Sequence, residues 1–246
     1  MKLIRVVFLL GVLVYGTGCS KDFCDCFTAT RSLKTIDRNT GFFTSVRIED
    51  NINVVLLKDT FCHVTLACGS GIIDHIKTEV TDNRLRLWNN STCNWVRDLD
   101  PQIIANVYYT TLEEISYSAT GKVSTEDTLK EQKFTLNVRD GAGSIQLKVN
   151  VDTAWFNQHD GATDINLSGK VNAQYIYNNG LGPVNALNLK SLFTFVNNRG
   201  TNDCFVQVQD HLEARIEYCG NIYYLGNPQV IISWIEGSGK LLPYIP

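Results

Sequence analysis

A short turn motif returns seven times in the second half of the chain, and it constrains the fold more than any other feature. The copies are SATGKVST (118–125), DGAGSIQL (140–147), DGATDINL (160–167), NGLGPVNA (179–186), RGTNDCFV (199–206), EYCGNIYY (217–224) and EGSGKLLP (236–243). Their fourth residues are Gly121, Gly143, Thr163, Gly182, Asn202, Gly220 and Gly239, separated by 22, 20, 19, 20, 18 and 19 residues. A near-constant period of this length marks a chain assembled from stacked supersecondary units.

Aligned on the turn, the copies form columns with physical meaning. The fourth position is Gly in five copies and Asn in a sixth, residues that tolerate left-handed backbone angles. The expectation is therefore a positive φ at this position, with a different turn at Thr163. Glycine also recurs at the second position, in Gly141, Gly161, Gly180, Gly200 and Gly237. Two places after the turn residue stands an apolar column: Val123, Ile145, Ile165, Val184, Cys204, Ile222 and Leu241. A further column, Thr125, Leu147, Leu167, Ala186, Val206, Tyr224 and Pro243, follows two residues later. This alternation reads as a strand with one face inward. Seven places before the turn residue, Leu136, Phe156, Tyr175 and Phe195 form an upstream column, within segments rich in β-branched and aromatic residues.

One strand–turn–strand unit cannot bury its apolar face alone. Stacking the units in register joins each column into an inward ladder, which predicts an all-β, parallel β-solenoid with rungs of about 20 residues. An antiparallel sandwich also offers short strands and frequent turns. It gives no reason for the same side-chain type to recur at a fixed longer period. The first half alternates less regularly, in SVRI (45–48), INVVL (52–56), HVTL (63–66) and RLRL (84–87), with a VTDN–RL strand–turn–strand at 80–85. Irregular opening rungs fit a terminal cap. No segment carries a convincing amphipathic-helix pattern.

The N-terminus has a different character. Lys2 and Arg5 precede an apolar run, VVFLLGVLVY (6–15), too short to span a bilayer but suited to a signal-peptide core. Small residues Gly16, Thr17 and Gly18 then lead to Cys19. The arrangement resembles a bacterial lipobox, in which the cysteine is lipidated and becomes the mature N-terminus. Ser20-Lys21-Asp22 is similar to signals that route some Bacteroidetes lipoproteins to the outer face of the outer membrane. The expected organisation is a signal peptide over 1–18, a lipidated Cys19 with a tether to residue 34, and one solenoid domain over 35–246. Localisation follows as an outer-membrane lipoprotein, on its periplasmic or cell-surface side.

Charge and composition exclude several functions. The formal charge is −3 with no dense basic patch, which argues against nucleic-acid binding. The eight cysteines are Cys19, Cys24, Cys26, Cys62, Cys68, Cys93, Cys204 and Cys219; lipidation of Cys19 leaves seven, an odd number that cannot all pair within one chain. Cys24-Asp25-Cys26 lacks a matching pair at zinc spacing, and His63, His75, His159 and His211 have no partners at metal-ligand spacing. Gly69-Ser70-Gly71 lacks the pattern around a nucleophilic serine. The Gly141-Ala142-Gly143 and Gly180-Leu181-Gly182 fragments are not followed by the helix that holds a dinucleotide phosphate. No cofactor, resident metal or enzymatic activity is expected.

The polar column at the first repeat position is Ser118, Asp140, Asp160, Asn179, Arg199, Glu217 and Glu236. Rungs about 4.8 Å apart make Asp140 and Asp160 neighbours. Solvated turn carboxylates are the preferred reading, because acidic residues suit turns. A weak calcium site and a glycan-cleaving acid pair are the alternatives. Trp88, Trp95, Trp155, Tyr175, Tyr177, Tyr223, Tyr224 and Trp234 could stack on sugar rings. Core packing is the default for most of them. Tyr177 and Tyr223, together with Asp140 and Asp160, are the candidate surface-binding residues.

Several stretches resemble the head GIN domain family of putative auto-transporter adhesins. FFTSVRIEDNINVVL (42–56) is similar to that family's opening strands, and VTDNRLRL (80–87) to its next strand pair. The serial D-G-A-G turns follow, and LEARIEYCGNIYYLGNP (212–228) resembles its closing segment. The resemblance implies an exported, often lipid-anchored β-solenoid, and brings no catalytic residues with it. The expected role is an adhesin-like binding or structural module of the cell envelope, contacting glycan or protein. The alternatives are a carbohydrate-active enzyme and a ligand-free assembly or signalling subunit. The sequence leaves oligomerisation open.

Overall fold

The computed structural model describes residues 32–91 and 102–245. The signal-like segment, Cys19, Cys24, Cys26, Cys93 and Trp95 lie outside the described residues. Strands account for the regular structure, wound into a parallel β-solenoid of about six turns with rungs about 20 residues apart. Each rung contributes to two facing sheets.

The front sheet runs β5 (Ile76–Thr81), β6 (Arg84–Asn89), β2 (Ser45–Asp50), β8 (Glu114–Ala119) and β10 (Lys133–Val138). It continues through the second halves of β11 (Ser144–Gln158), β12 (Asp164–Asn178), β13 (Val184–Asn198) and β14 (Cys204–Ile216), ending at β16 (Val230–Ile235). The back sheet runs β1 (Leu33–Asn39), β4 (His63–Gly69), β7 (Ile104–Tyr109), β3 (Asn53–Lys58) and β9 (Lys122–Thr125). The first halves of β11 to β14 follow, then β15 (Ile222–Leu225) and β17 (Leu241–Pro243). The opening rungs are not laid down in spatial order: β2–β3 sits between β6–β7 and β8–β9.

The first apolar column is in register along the back sheet. Val123 pairs Ile145, then Ile165, Val184, Cys204, Ile222 and Leu241 in turn. All but Leu241, on the last rung, are buried. Burying a Val, Leu or Ile side chain is worth roughly 1.5–3 kcal/mol, so this column is a principal source of stability.

The two ends differ. At the first end the antiparallel strands β1, β4 and β5 close the stack, and the loop after β4 buries Ile72 and Ile73. Arg38 of β1 donates to the carbonyls of Ile76 (2.6 Å) and Ile73 (3.1 Å), fastening one sheet to the other.

Two expectations need correction. The fourth-position glycines do not take positive φ; in these turns that conformation falls on Asp140 (φ 54°) and Gly161 (φ 83°). Glycine is needed at the fourth position because rungs approach closely. A Cβ on Gly182 would lie 2.0 Å from the Thr163 carbonyl oxygen. Thr163 fits because its buried side chain occupies the space that a Gly141 Cβ would need, 2.4 Å from its Oγ1.

The upstream column is also not continuous. Leu136 pairs Phe156, both buried, but Phe156 continues to Ile176, while Tyr175 and Phe195 lie on the outer face in register with Trp155. The turns after Val138 and Gln158 hold one residue more than those after Asn178 and Asn198. Counting seven places back therefore lands inside in one pair and outside in the other.

Candidate binding face

Outward positions alternate with the core along every strand, so each rung adds a fixed set of side chains to the front face. Trp155, Tyr175 and Phe195 form one outer column, and Phe193 and His211 an adjacent one. Their rings meet along the solenoid axis: Trp155 stacks on Tyr175 at 5.7 Å and 10° between planes, Tyr175 meets Phe193 tilted by 50° at 5.6 Å, and Phe193 stacks on His211 at 5.2 Å. Core packing was the default for Trp155 and Tyr175; both are instead half-buried on the outside.

Beside this ladder runs a polar column, Asn137, Asn157, Tyr177, Asn197, Arg215 and Trp234. Asn157 donates to Asn137 Oδ1 at 3.1 Å, and Arg199 donates to the Tyr177 hydroxyl at 3.3 Å. Arginines offset the repulsion between the stacked acids Glu217 and Glu236. Glu217 receives Arg199 (2.8 Å) and Arg215 (3.2 Å), and Arg215 also reaches Glu236 at 3.1 Å. At the last rung Phe195, Arg215, Trp234 and Glu236 line an open hollow of about 340 Å³. Trp234 is 47% exposed there, on a rung that no described strand covers. The aromatic surface, two-faced cation and carboxylate together suit a polar ligand with one apolar face.

The four sequence candidates separate. Tyr177 belongs to the front face, beside His159 at 5.6 Å. Burial, followed by the nearby Arg139, holds the His159 imidazole below its ordinary pKa. Tyr223 lies on the back sheet, stacked on Phe205 at 5.1 Å. Asp140 and Asp160 sit at the turn edge as neighbours, and the Asp160 carboxylate accepts the backbone N–H of Asp140. That bond ties one turn to the next. No group of three His, Cys, Asp or Glu side chains suited to a metal occurs among the described residues. The middle of the back face is polar, with Ser124, Gln146, Lys148, Asn166, Asn185 and Asn188 around a hollow of about 320 Å³.

Sequence reasoning missed an inner polar column. Tyr117, Gln158, Asn178 and Asn198 are inward residues four or five places before the fourth residue of a turn, and each donates to the carbonyl of that residue. The distances are 2.5 Å to Gly121, 3.1 Å to Thr163, 3.5 Å to Gly182 and 3.0 Å to Asn202. Asn four places ahead of the turn residue, in YNNGLG and VNNRGTN, was the available signal.

A crystal structure of a putative adhesin from Bacteroides fragilis superposes with a TM-score of 0.81 at 19% identity, covering 87% of this chain and 97% of that one. A putative adhesin from Parabacteroides merdae gives 0.67 at 15% identity, with 88% and 98% covered. A protein from Parabacteroides distasonis described as a putative lipid binding protein gives 0.68 at 17%, with 87% and 97% covered. At these identities the likeness establishes the fold. No curated protein matches the chain. Residues 42–228 match the family described as putative auto-transporter adhesin, head GIN domain, and with its serial turns and solenoid the chain belongs to that family.

Proposed function

We propose that the protein is exported, anchored by lipid at Cys19 on the outer membrane, and works as an adhesin-like module that binds glycan with its front face. Membership of an adhesin-type family supports a cell-surface or envelope role. The observation that carries the glycan reading is the hollow beside the aromatic ladder. Trp234 offers a ring for the apolar face of a sugar, while Arg215 and Glu236 can donate to and accept from its hydroxyls. The other aromatics stack on each other, so their ring faces are less available than that of Trp234.

The test is retention of the full chain on a panel of immobilised envelope polysaccharides and proteins. Arg215→Ala and Trp234→Ala should each weaken polysaccharide binding by about tenfold, or 1.4 kcal/mol. Asn166→Ala on the back face should leave it unchanged. Retention by proteins alone, or binding indifferent to both front-face variants, would sink the glycan reading.

A further inference from the structure

The second end of the solenoid is built unlike the first. On β16 the inward column continues from Leu212 to Ile231, Ala214 to Ser233 and Ile216 to Ile235. Leu212, Ala214 and Ile216 are fully buried, whereas Ile231 and Ile235 are 45% and 51% exposed. Among the described residues β16 pairs with β14 and β17 with β15, and no strand takes up their other edges. Repeat proteins ordinarily close a terminal unit with a polar face, and sheet proteins protect edges with charge or a bulge. Val230-Ile231-Ile232-Ser233-Trp234-Ile235 carries neither device. The first end shows what closure looks like in this molecule, with β1 and β5 joined by Arg38 over buried Ile72 and Ile73.

We propose that a second copy of this chain covers the open end, through a two-fold contact of β16 with β16. β1 and β5 also leave one edge unpaired at the first end, but they carry Lys34, Asp37, Arg38, Lys77 and Glu79, charge that disfavours a head-to-tail stack, so like meets like. A two-fold axis through Ser233 sets the strands antiparallel and keeps inward residues inward. Ile231 then faces Ile235 of the other copy, Ser233 faces itself, and Ile232 faces Trp234 across the seam, so a second copy and a sugar seated on Trp234 exclude one another. The five large side chains Val230, Ile231, Ile232, Trp234 and Ile235 leave on the order of 450 Å² exposed per copy, so their complete burial would contribute at most about 900 Å² to a pair, to which the edges of β17 add. A specific interface needs about 1,000 Å². The contact also gives both sheets a partner for their unpaired backbone groups.

The full chain, purified in density-matched detergent, should sediment as a dimer at tens of micromolar. Ile231→Lys with Ile235→Lys should convert it to a monomer with its thermal midpoint otherwise preserved, because both side chains are exposed in the single copy. In the Cys219→Ser background, Ser233→Cys should give a disulfide-linked homodimer, since directly opposed antiparallel residues have Cα atoms about 4.5–5.5 Å apart, within disulfide range. Asn166→Cys, on the back face, should not. A monomeric wild type, a dimer that survives the two lysines, or a Ser233→Cys chain that cross-links only to other proteins overturns the proposal.

Discussion

The side-chain amide of Asn178 donates to Oδ1 of Asn198 at 3.3 Å, across one rung and inside a core where both residues are fully buried. Asn198 is the better connected of the two. Its own amide serves the carbonyls of Asn202 (3.0 Å) and Asn221 (3.2 Å), and its Oδ1 also accepts the Gly200 N–H at 3.1 Å. One side chain thus satisfies backbone groups of two successive turns.

Asn198→Ala should therefore be costly, because it strands several buried partners at once. Each unsatisfied buried group costs roughly 1–3 kcal/mol, and a total of about 3 kcal/mol is expected. Asn157→Ala breaks the Asn157–Asn137 bond on the half-buried outer face and should cost less than about 1 kcal/mol. Urea unfolding of both variants decides the matter. Equal losses would mean that the inner column is not a structural element.

Close approach, rather than backbone angle, is the reason for the turn glycine at 182. Gly182→Ala puts a methyl 2.0 Å from the Thr163 carbonyl oxygen and 2.9 Å from the Gln158 amide. Two rungs must separate, at a cost of about 3 kcal/mol or more. Gly41 is the converse case, with φ 75° and nothing within 4 Å of the added Cβ. Gly41→Ala carries only left-handed strain, about 1–2 kcal/mol. Thermal midpoints should rank the two in that order; a milder loss at Gly182 than at Gly41 would return the argument to backbone angle.

The rungs were legible in the sequence because a fixed period carries Ile145, Ile165 and Val184 to the same face in successive turns. Tyr175 and Phe195 were not legible in the same way. Their place depends on whether a turn holds four residues or three between the last inward strand residue and the turn residue, and alignment on glycine hides that difference. Asp160 was legible as a neighbour of Asp140 but not as the acceptor of its N–H, since the direction of a turn side chain is set by the rung beside it. The bare edge of β16 was invisible for a related reason. Val230 to Ile235 reads like any other strand until the stack shows that no described rung follows.

The proposed lipid anchor is assigned to Cys19 and can be tested separately from the fold. Cells fed a labelled fatty acid should incorporate it into the wild-type chain, and the chain should fractionate with membranes. Cys19→Ser should abolish the label and release the protein in folded form, because the solenoid begins well after this residue at β1. Label that persists in Cys19→Ser would move the anchor elsewhere.

Alkaline pH should unfold the protein through groups that its core keeps protonated. Burial pushes the Cys204 thiol from 9.0 up to about 12 and the Cys68 thiol to about 11. Burial likewise raises the Tyr109 and Tyr117 hydroxyls from 10.0 to about 12. Well below pH 9, at about pH 8 and under, the folded and unfolded chains hold these protons equally, and stability is unaffected. As pH rises from 9 toward 12 the unfolded chain releases protons that the folded chain retains, so the free energy of unfolding falls. The urea midpoint should be flat between pH 7 and about 8 and decline above it. Exposed Cys219 should react with a thiol reagent at pH 8 while Cys68 and Cys204 stay protected in the native state. Cys204→Ala removes the most strongly raised thiol, so its decline between about pH 9 and 10, before the tyrosines contribute, should be shallower than that of the wild type. An identical slope in the variant would show that Cys204 is not a proton-linked part of the core.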